Sequence, residues 1–536
     1  MRLATSPCRR RGRQRDRRGI LLIIVLLVIA LLSLAGYSYS QYMFSEYRGA
    51  VVSARLVQAR LSAESGVEHI KVFLMQDRAS REAAGGVYEN PAFQMVLVKD
   101  DDLDRERSRF AVVAPVEGDD GSRSIRFGLE DESTRLNVNA LPVLEDIGRQ
   151  IAEVNQAITG EEASDSPGRD LLMALPGMTE QIADAILDFI DADEEPREFG
   201  CESEYYSQLS TPYQSRNGPL MSVEELLLVR GVTPQLLFGP DVNRNGVIDP
   251  SEENRVTSDG PQSGWAAYLT LFGQERNVRA DGSPRINLNN SDLAALYDEM
   301  KAASMPDDWI NFIIAYRRNG PYRGTNPSSG TSAPAPDFTQ QGSTSGSTQL
   351  SQVLDLVGAK VQVIDTVSGL DGDDEVRRVI DSPFPDALHG LYLPELMDLC
   401  TTNAAPVIPG RININQAPAT ILAGIPGMNE DILAEILSRR TPEPTDSDAG
   451  RRSETWLLAE GIVTLGEMKA MMPYINAGGS VFRAQVIGYF DRDGPAARIE
   501  AVVDATTDSP RIVFWRDISH LGPGYPTELL GIEARE

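Results

Sequence analysis

Residues 9–36 read Arg9-Arg-Arg-Gly-Arg-Gln-Arg-Asp-Arg-Arg18, then Gly19, then Ile20-Leu-Leu-Ile-Ile-Val-Leu-Leu-Val-Ile-Ala-Leu-Leu32 and Ser33-Leu-Ala-Gly36. A basic head meets an uncharged apolar run at one glycine. The run is at the short end of what spans a bilayer as a helix. Arginines do not cross cheaply, so they are expected on the cytoplasmic side, with everything after about residue 40 on the other. No Ala-x-Ala cleavage site follows the run, and Tyr37-Ser-Tyr-Ser-Gln-Tyr42 reads as an aromatic belt at the membrane surface. Hydropathy alone is met by an uncleaved signal anchor.

Working outward, Arg55–Leu74 places Leu56, Ala59, Ala63, Val67, Ile70 and Leu74 at spacings of three and four, one face of a continuing helix. Short β-like runs follow at Ala92–Val98, Phe110–Ala114 and Ser124–Gly128. The end of the chain offers Val481–Phe490, Ala497–Val503 and Arg511–Trp515, which read as an antiparallel meander turning at Asp491–Gly494. Between these β regions the chain reads as helix and loop. A repeat punctuates it: Arg135-Leu-Asn-Val-Asn139, Arg285-Ile-Asn-Leu-Asn289 and Arg411-Ile-Asn-Ile-Asn415. Each is expected to give a short extended entry, with the second Asn or a neighbour capping the next helix. Two copies lead to hairpins, Leu175-Pro-Gly177-Met178 and Ile425-Pro-Gly427-Met428, where glycine permits a tight turn between helices.

The 536 residues carry a formal net charge of −28. Residues 1–18 hold eight Arg and one Asp, so the remainder carries −35. Such a body repels phosphates, and the hairpin helices begin with Glu180, Glu430 and Asp431; nucleic acid is excluded as a partner on these grounds. A membrane-anchored DNA-uptake or DNA-binding protein is the alternative that these hairpins raise. Cys8 lies in the basic head, leaving Cys201 and Cys400, which could pair outside the cytoplasm. His69, His389 and His520 stand in no metal-binding spacing, and no Gly-x-Ser-x-Gly or phosphate loop occurs, so no enzyme is expected.

The strongest local motif is Asp241-Val-Asn-Arg-Asn-Gly-Val-Ile-Asp-Pro-Ser-Glu252, which follows the calcium loop of an EF-hand position for position. Asp241, Asn243 and Asn245 stand at positions one, three and five. Gly246 makes the turn, Val247 offers its carbonyl, Asp249 acts through water, and Glu252 binds with both oxygens. Pro240 argues against a full entering helix. A weaker acidic cluster runs Asp188-Phe-Ile-Asp-Ala-Asp-Glu-Glu195 and Gly200-Cys-Glu-Ser-Glu-Tyr-Tyr206.

Gly19 directly between the arginines and the apolar run resembles the type III signal of pilins and pseudopilins. Together with Asp188–Asp193, Gly200–Tyr206, Thr211-Pro-Tyr213, Asn217-Gly-Pro-Leu220 and Ser222–Gly231, it makes the chain resemble the minor pseudopilin K family of type II secretion. The resemblance covers most of residues 9–232, 284–320 and 400–515. It implies cleavage between Gly19 and Ile20 by prepilin peptidase, leaving Ile24 where pilins usually carry Glu. It implies a non-enzymatic subunit at the pseudopilus tip, supporting export across the outer membrane. The chain would be single-pass in the inner membrane, with its globular part in the periplasm. Implied partners are the I and J minor pseudopilins. Implied too is calcium in the helical domain, with ligands falling on Asp191, Asp193, Glu202 and Glu204.

The expected fold is α+β: an N-terminal transmembrane helix, a pilin-like α/β head with an antiparallel sheet, and a large inserted α-helical domain with helix-hairpin-helix (SAM-like) repeats. The expected divisions are a basic leader over 1–19, a transmembrane and stalk helix over 20–78, and the first part of the head over 79–135. An inserted helical domain with the EF-hand-like loop follows over 136–323, then a flexible linker over 324–350. A second hairpin region covers 351–475, and the C-terminal meander of the head 476–536. Thr441–Ser453 is a second weak spot. The chain is longer than the family pattern near 233–283 and 324–400.

Overall fold

The computed structural model of the chain describes residues 18–118, 123–159, 166–253, 263–338, 345–369, 372–492, 494–526 and 528–531. Most of the expected leader, residues 1–17, lies outside them. Helix α1 runs from Arg18 to Leu74, which is about 85 Å at the α-helical rise. Its best 18-residue window has a mean hydropathy of 2.7 and no burial, so it is long and apolar enough to cross a membrane once. From Ala59 onward the helix changes character. Ala59, Ala63, Val67, Ile70, Phe73 and Leu74 are buried. Leu56, expected on this face, is 46% exposed. The apolar contact ends at Ala59, against Phe490 and Ala497, and Leu56 lies nearly a turn beyond it.

That face sits on a curled antiparallel sheet. We number its strands β1 (Val96–Lys99), β2 (Ser108–Glu117), β3 (Arg123–Phe127), β4 (Glu130–Asp131), β5 (Val481–Phe490), β6 (Ala497–Asp504) and β7 (Arg511–Asp517). The order is β1-β2-β5-β6-β7, with β3 added to β2 and β4 to β5. Register runs Val113↔Gln485 to Ser108↔Phe490 between β2 and β5, and Val481↔Asp504 to Gly488↔Ala497 between β5 and β6. Period-two alternation then sorts the side chains. Phe110, Val112, Val486, Ile499 and Ala501 pack with α1. Ala111, Val113, Ile487 and Tyr489 pack with Tyr525 and Leu530 of the C-terminal tail. The expected first strand is shorter than its apolar run. Asn90 accepts the Ala92 N–H and caps a 3-10 turn over Pro91–Phe93, and Met95 turns at φ 55° before β1 begins.

Residues 132–480 leave the sheet after β4 and return at β5. The two crossings are joined at Asp131, which is buried. Its carboxylate accepts the N–H of Gly479 at 2.6 Å, the Asn413 amide at 2.9 Å and the N–H of Ser133 at 2.8 Å. Burial raises its hold on a proton, and these bonds oppose that. Beside it, Arg483 bridges Glu132 at 2.6 Å and Glu500 at 2.7 Å. The flanking Arg483 and Arg516 overcome the burial of Glu500 and hold its carboxyl down at about 2.

The inserted residues form three similar units. Each Arg-x-Asn-x-Asn motif supplies a two-residue strand that pairs in parallel with a strand closing its unit. The pairs are Leu136-Asn137 with Leu269-Thr270, Ile286-Asn287 with Cys400-Thr401, and Ile412-Asn413 with Ile475-Asn476. The first Asn of each motif turns its side-chain oxygen to the N–H of the second. The second Asn reaches across the unit rather than capping a helix. Asn139 exchanges hydrogen bonds with Leu220, Asn289 does so with Leu350, and Asn415 donates to the Arg451 carbonyl. Gly177 (φ 69°) and Gly427 (φ 87°) turn the chain into the helices Glu180–Ile190 and Glu430–Arg439. The middle unit makes the corresponding turn with Ser304 at φ 60°, ahead of Asp307–Asn319.

Two stretches read as weak spots are held by hydrogen bonds to backbone groups. Ser347 and Thr348 donate to the Arg317 carbonyl. Glu443 accepts the N–H groups of Val87 and Tyr88 at 2.8 and 3.0 Å. Among the described residues neither stretch buries many apolar side chains, which is why composition alone made them look loose.

The stalk and sheet meet through glycine. A Cβ on Gly488 would lie 1.9 Å from the Ala59 carbonyl. Gly488→Val is expected to destabilise the detergent-solubilised chain by about 1–3 kcal/mol, read from urea unfolding. Gly466→Ala, where nothing lies within 4 Å, is expected to be neutral or slightly stabilising.

Candidate metal centre

Helix Glu180–Ile190 is capped by Thr179, whose hydroxyl accepts the Ile182 N–H. It carries Asp184 and Asp188 one turn apart on its buried face. Asp184 is satisfied: Arg169 meets it with two bonds of 2.7 and 2.8 Å, and the Phe199 N–H adds a third. Asp188 accepts the Arg197 N–H, and its carboxylate lies 3.3 Å from the Arg197 guanidinium. Arg197 is shared with Glu145 at 2.8 Å and with Asp191 at 3.5 Å. The chain then turns back so that Glu202 faces the helix end. Gly200 permits this, since a Cβ there would lie 1.8 Å from an Asp188 oxygen.

The result is a set of three carboxylates, Asp188, Asp191 and Glu202, with ligand oxygens within 4.8 Å of one another. Among the described residues it is the one acidic group of this kind. Asp191 Oδ1 and both Glu202 oxygens are buried without a well-formed hydrogen bond. Burial pushes Asp188 and Asp191 up to about 6; like-charged neighbours add to this, and Arg197 opposes it. Burial, then the charge of Asp188, pushes Glu202 up to about 7. One guanidinium therefore does not compensate three desolvated carboxylates. Hard oxygen donors with unsatisfied lone pairs suit a hard cation such as calcium.

Of the four positions expected here, Asp191 and Glu202 join the centre. Asp193 and Glu204 are exposed, and Asp193 instead accepts the Glu195 N–H. Asp188 takes a place not assigned from sequence. Its signal was the i, i+3 spacing with Asp191 at a helix end, which puts both on one side. Cys201 and Cys400 are both buried and unpaired.

The loop Asp241–Glu252 lies apart from this centre. Arg244 (φ 57°) and Gly246 (φ 78°) shape it. Asp241 accepts the Gly246 N–H at 2.8 Å, Asn243 that of Asn245 at 2.9 Å, and Asn245 that of Val247 at 2.8 Å. Glu252 closes the ring by accepting from Val242 and Asn243 with one oxygen and from Asp249 with the other. Its carboxylates face the loop's own amides rather than one another. Burial raises Asp241 above the usual carboxylate range, and the Gly246 N–H opposes this. A five-residue helix, Pro234–Phe238, precedes the loop.

Residues 134–238 match the family described as Type II secretion system (T2SS), protein K. Over those residues the chain carries a protein K domain of type II secretion. The protein K match contains the whole acidic centre and stops before Asp241, so the loop lies outside it. The curated proteins offer no match. Among solved structures, the chain is similar to one from the GspK-GspI-GspJ complex of the enterotoxigenic Escherichia coli type 2 secretion system. That likeness has 11% identity and a TM-score of 0.34, and covers 89% of this chain and 99% of that one.

The raised carboxyl groups give a pH dependence. The folded, metal-free chain holds protons on Asp188, Asp191 and Glu202 that the unfolded chain releases above about pH 4. The folded state therefore binds more protons, and stability from these groups falls as pH rises to about 7. Thermal melts of the chelated chain between pH 5 and pH 8 are expected to show this loss. Glu202→Gln should flatten it.

Proposed function

We propose that this protein K is the tip subunit of a type II secretion pseudopilus and serves export across the outer membrane as a structural part, not a catalyst. The observation that carries this is the placement of the protein K match. It lies in the domain that interrupts a sheet seated on a long N-terminal helix whose first half is bare and apolar. In this reading prepilin peptidase cuts between Gly19 and Ile20, and α1 remains as a single-pass anchor in the inner membrane with the body in the periplasm. Ile24 offers no carboxylate to a subunit above, and the bulky insertion leaves no room for one. Minor pseudopilins of the I and J type are the partners. The hairpin turns at Gly177 and Gly427 are structural, since acidic residues begin the helices that follow them.

Calcium is the proposed cofactor. Asp188, Asp191 and Glu202 supply three carboxylates at the acidic centre. A second site is the loop, with Asp241, Asn243, Asn245, the Val247 carbonyl, Asp249 and Glu252. An ion bound only by the folded state stabilises it.

Deleting the gene is expected to trap type II cargo in the periplasm, with export restored by the full chain. Mass spectrometry of the membrane form should find Ile20 at its amino terminus. Recovery of an intact Met1–Gly19 segment in cells with active prepilin peptidase would refute the pseudopilin assembly proposed here. For calcium, chelation should lower the melting temperature of the wild type, and less so that of Asp191→Asn.

A further inference from the structure

The loop Asp241–Glu252 has two faces, and the head occupies one of them. Gln485 of β5 donates to the Arg244 carbonyl at 2.6 Å. Arg498 of β6, fully buried, donates to the Asn243 carbonyl. The Tyr525 hydroxyl donates to the Asn245 carbonyl at 2.7 Å. Thus three successive carbonyls, 243, 244 and 245, point at the sheet and tail. None of the three is a ligand in the calcium-loop template, which uses the side chains at 243 and 245 and the carbonyl at 247. Gly246 sits against Pro115 of β2, where a Cβ would come within 2.2 Å of the proline Cβ.

The tail also sets the ligand face. The Asn245 amide donates to the Gly524 carbonyl at 2.7 Å. That bond turns its oxygen inward, where it accepts the Val247 N–H. The same amide also donates to Asp249 at 3.2 Å, as does that of Asn243 at 2.5 Å, so Asn245 ties the loop's own carboxylate to a residue 279 positions away. Charge points the same way. Asp241, Asp249 and Glu252 set three negative charges against the one buried guanidinium of Arg498, and a divalent cation would cancel the remaining two.

We propose that the loop is a calcium-dependent latch: the ion fills its inner face and thereby fastens the C-terminal tail and the pilin-like head to the inserted domain. This rests on the reading of the loop as a calcium site. Because the two events are linked, calcium orders the tail and the tail raises calcium affinity by the same free energy. Covering the sheet face formed by Ala111, Val113, Ile487 and Tyr489 with Tyr525 and Leu530 then depends on the ion.

Hydrogen exchange on the full-length chain in detergent tests this. Calcium should slow exchange in the segment holding Gly524 to Leu530 by tenfold or more. The slowing should vanish in Glu252→Gln and in Asp249→Asn and persist in Glu202→Gln, which alters only the acidic centre. Conversely, Tyr525→Phe in the Glu202→Gln background should weaken calcium binding about two- to tenfold by calorimetry, the worth of one hydrogen bond. Calcium that binds the loop, with heat lost in Glu252→Gln, but leaves tail exchange unchanged would overturn the latch and leave the site standing. A loop that takes up no calcium would overturn both.

Discussion

One buried carboxylate governs how this molecule can be built at all. The chain leaves the sheet at Asp131 and must come back beside the same point some 350 residues later. Asp131 joins the two crossings by accepting from Gly479, which precedes β5, and from Asn413, which belongs to the last inserted unit. A carboxylate in that position is costly unless every lone pair is used. Its three main donors come from both crossings and from inside the insertion, so head and insertion are satisfied together or not at all. The ladder from Glu132 through Arg483 and Glu500 to Arg516 continues that junction across β5, β6 and β7. The stalk is fixed to the other side of the same strands, where Gly66 and Gly488 bring helix and sheet close. The N-terminal helix, sheet and insertion therefore share β5 as a common wall.

The acidic centre and the loop solve related electrostatic problems differently. At the centre, three carboxylates are gathered with oxygens left over, and Arg197 supplies a partial counter-charge. In the loop, carboxylates are spent on the backbone amides of a tight ring, and the counter-charge comes from Arg498 on the head. The first arrangement is built from residues close in sequence, Asp188 to Glu202. The second is completed only by tertiary contact. That difference bears on what each depends on: the centre on its own helix end, the loop on contacts with head and tail.

Much of the fold could be read from residues alone, for reasons of period. The stalk face repeats at three and four, and β2, β5 and β6 are long stretches carrying Val, Ile and aromatic residues between turn residues. The turns at Gly177 and Gly427 were visible because glycine marks the left-handed conformation. The third turn was hidden because Ser304 adopts the same φ without that mark. The Arg-x-Asn-x-Asn motif was visible as a repeat, but its use was not. A side-chain amide that bridges to Leu220 or Leu350 has its partner 81 or 61 residues away, and spacing carries no trace of it. Asp193 and Glu204 looked equivalent to Asp191 and Glu202 as acidic residues two apart. Only the direction in which the helix ends, and the return at Gly200, separates them.

The middle inserted unit starts at Arg285 and closes at Cys400-Thr401, beside its own first strand. The segments on either side of it, Gln274–Arg276 and Val407–Pro409, pair with each other directly. Its entrance and exit are thus neighbours on one small ladder, like the two ends of a drawer set into a cabinet. The backbone path of the units on either side would close across such a compartment, although its side chains share their core. The length of this chain would then record how many drawers were kept.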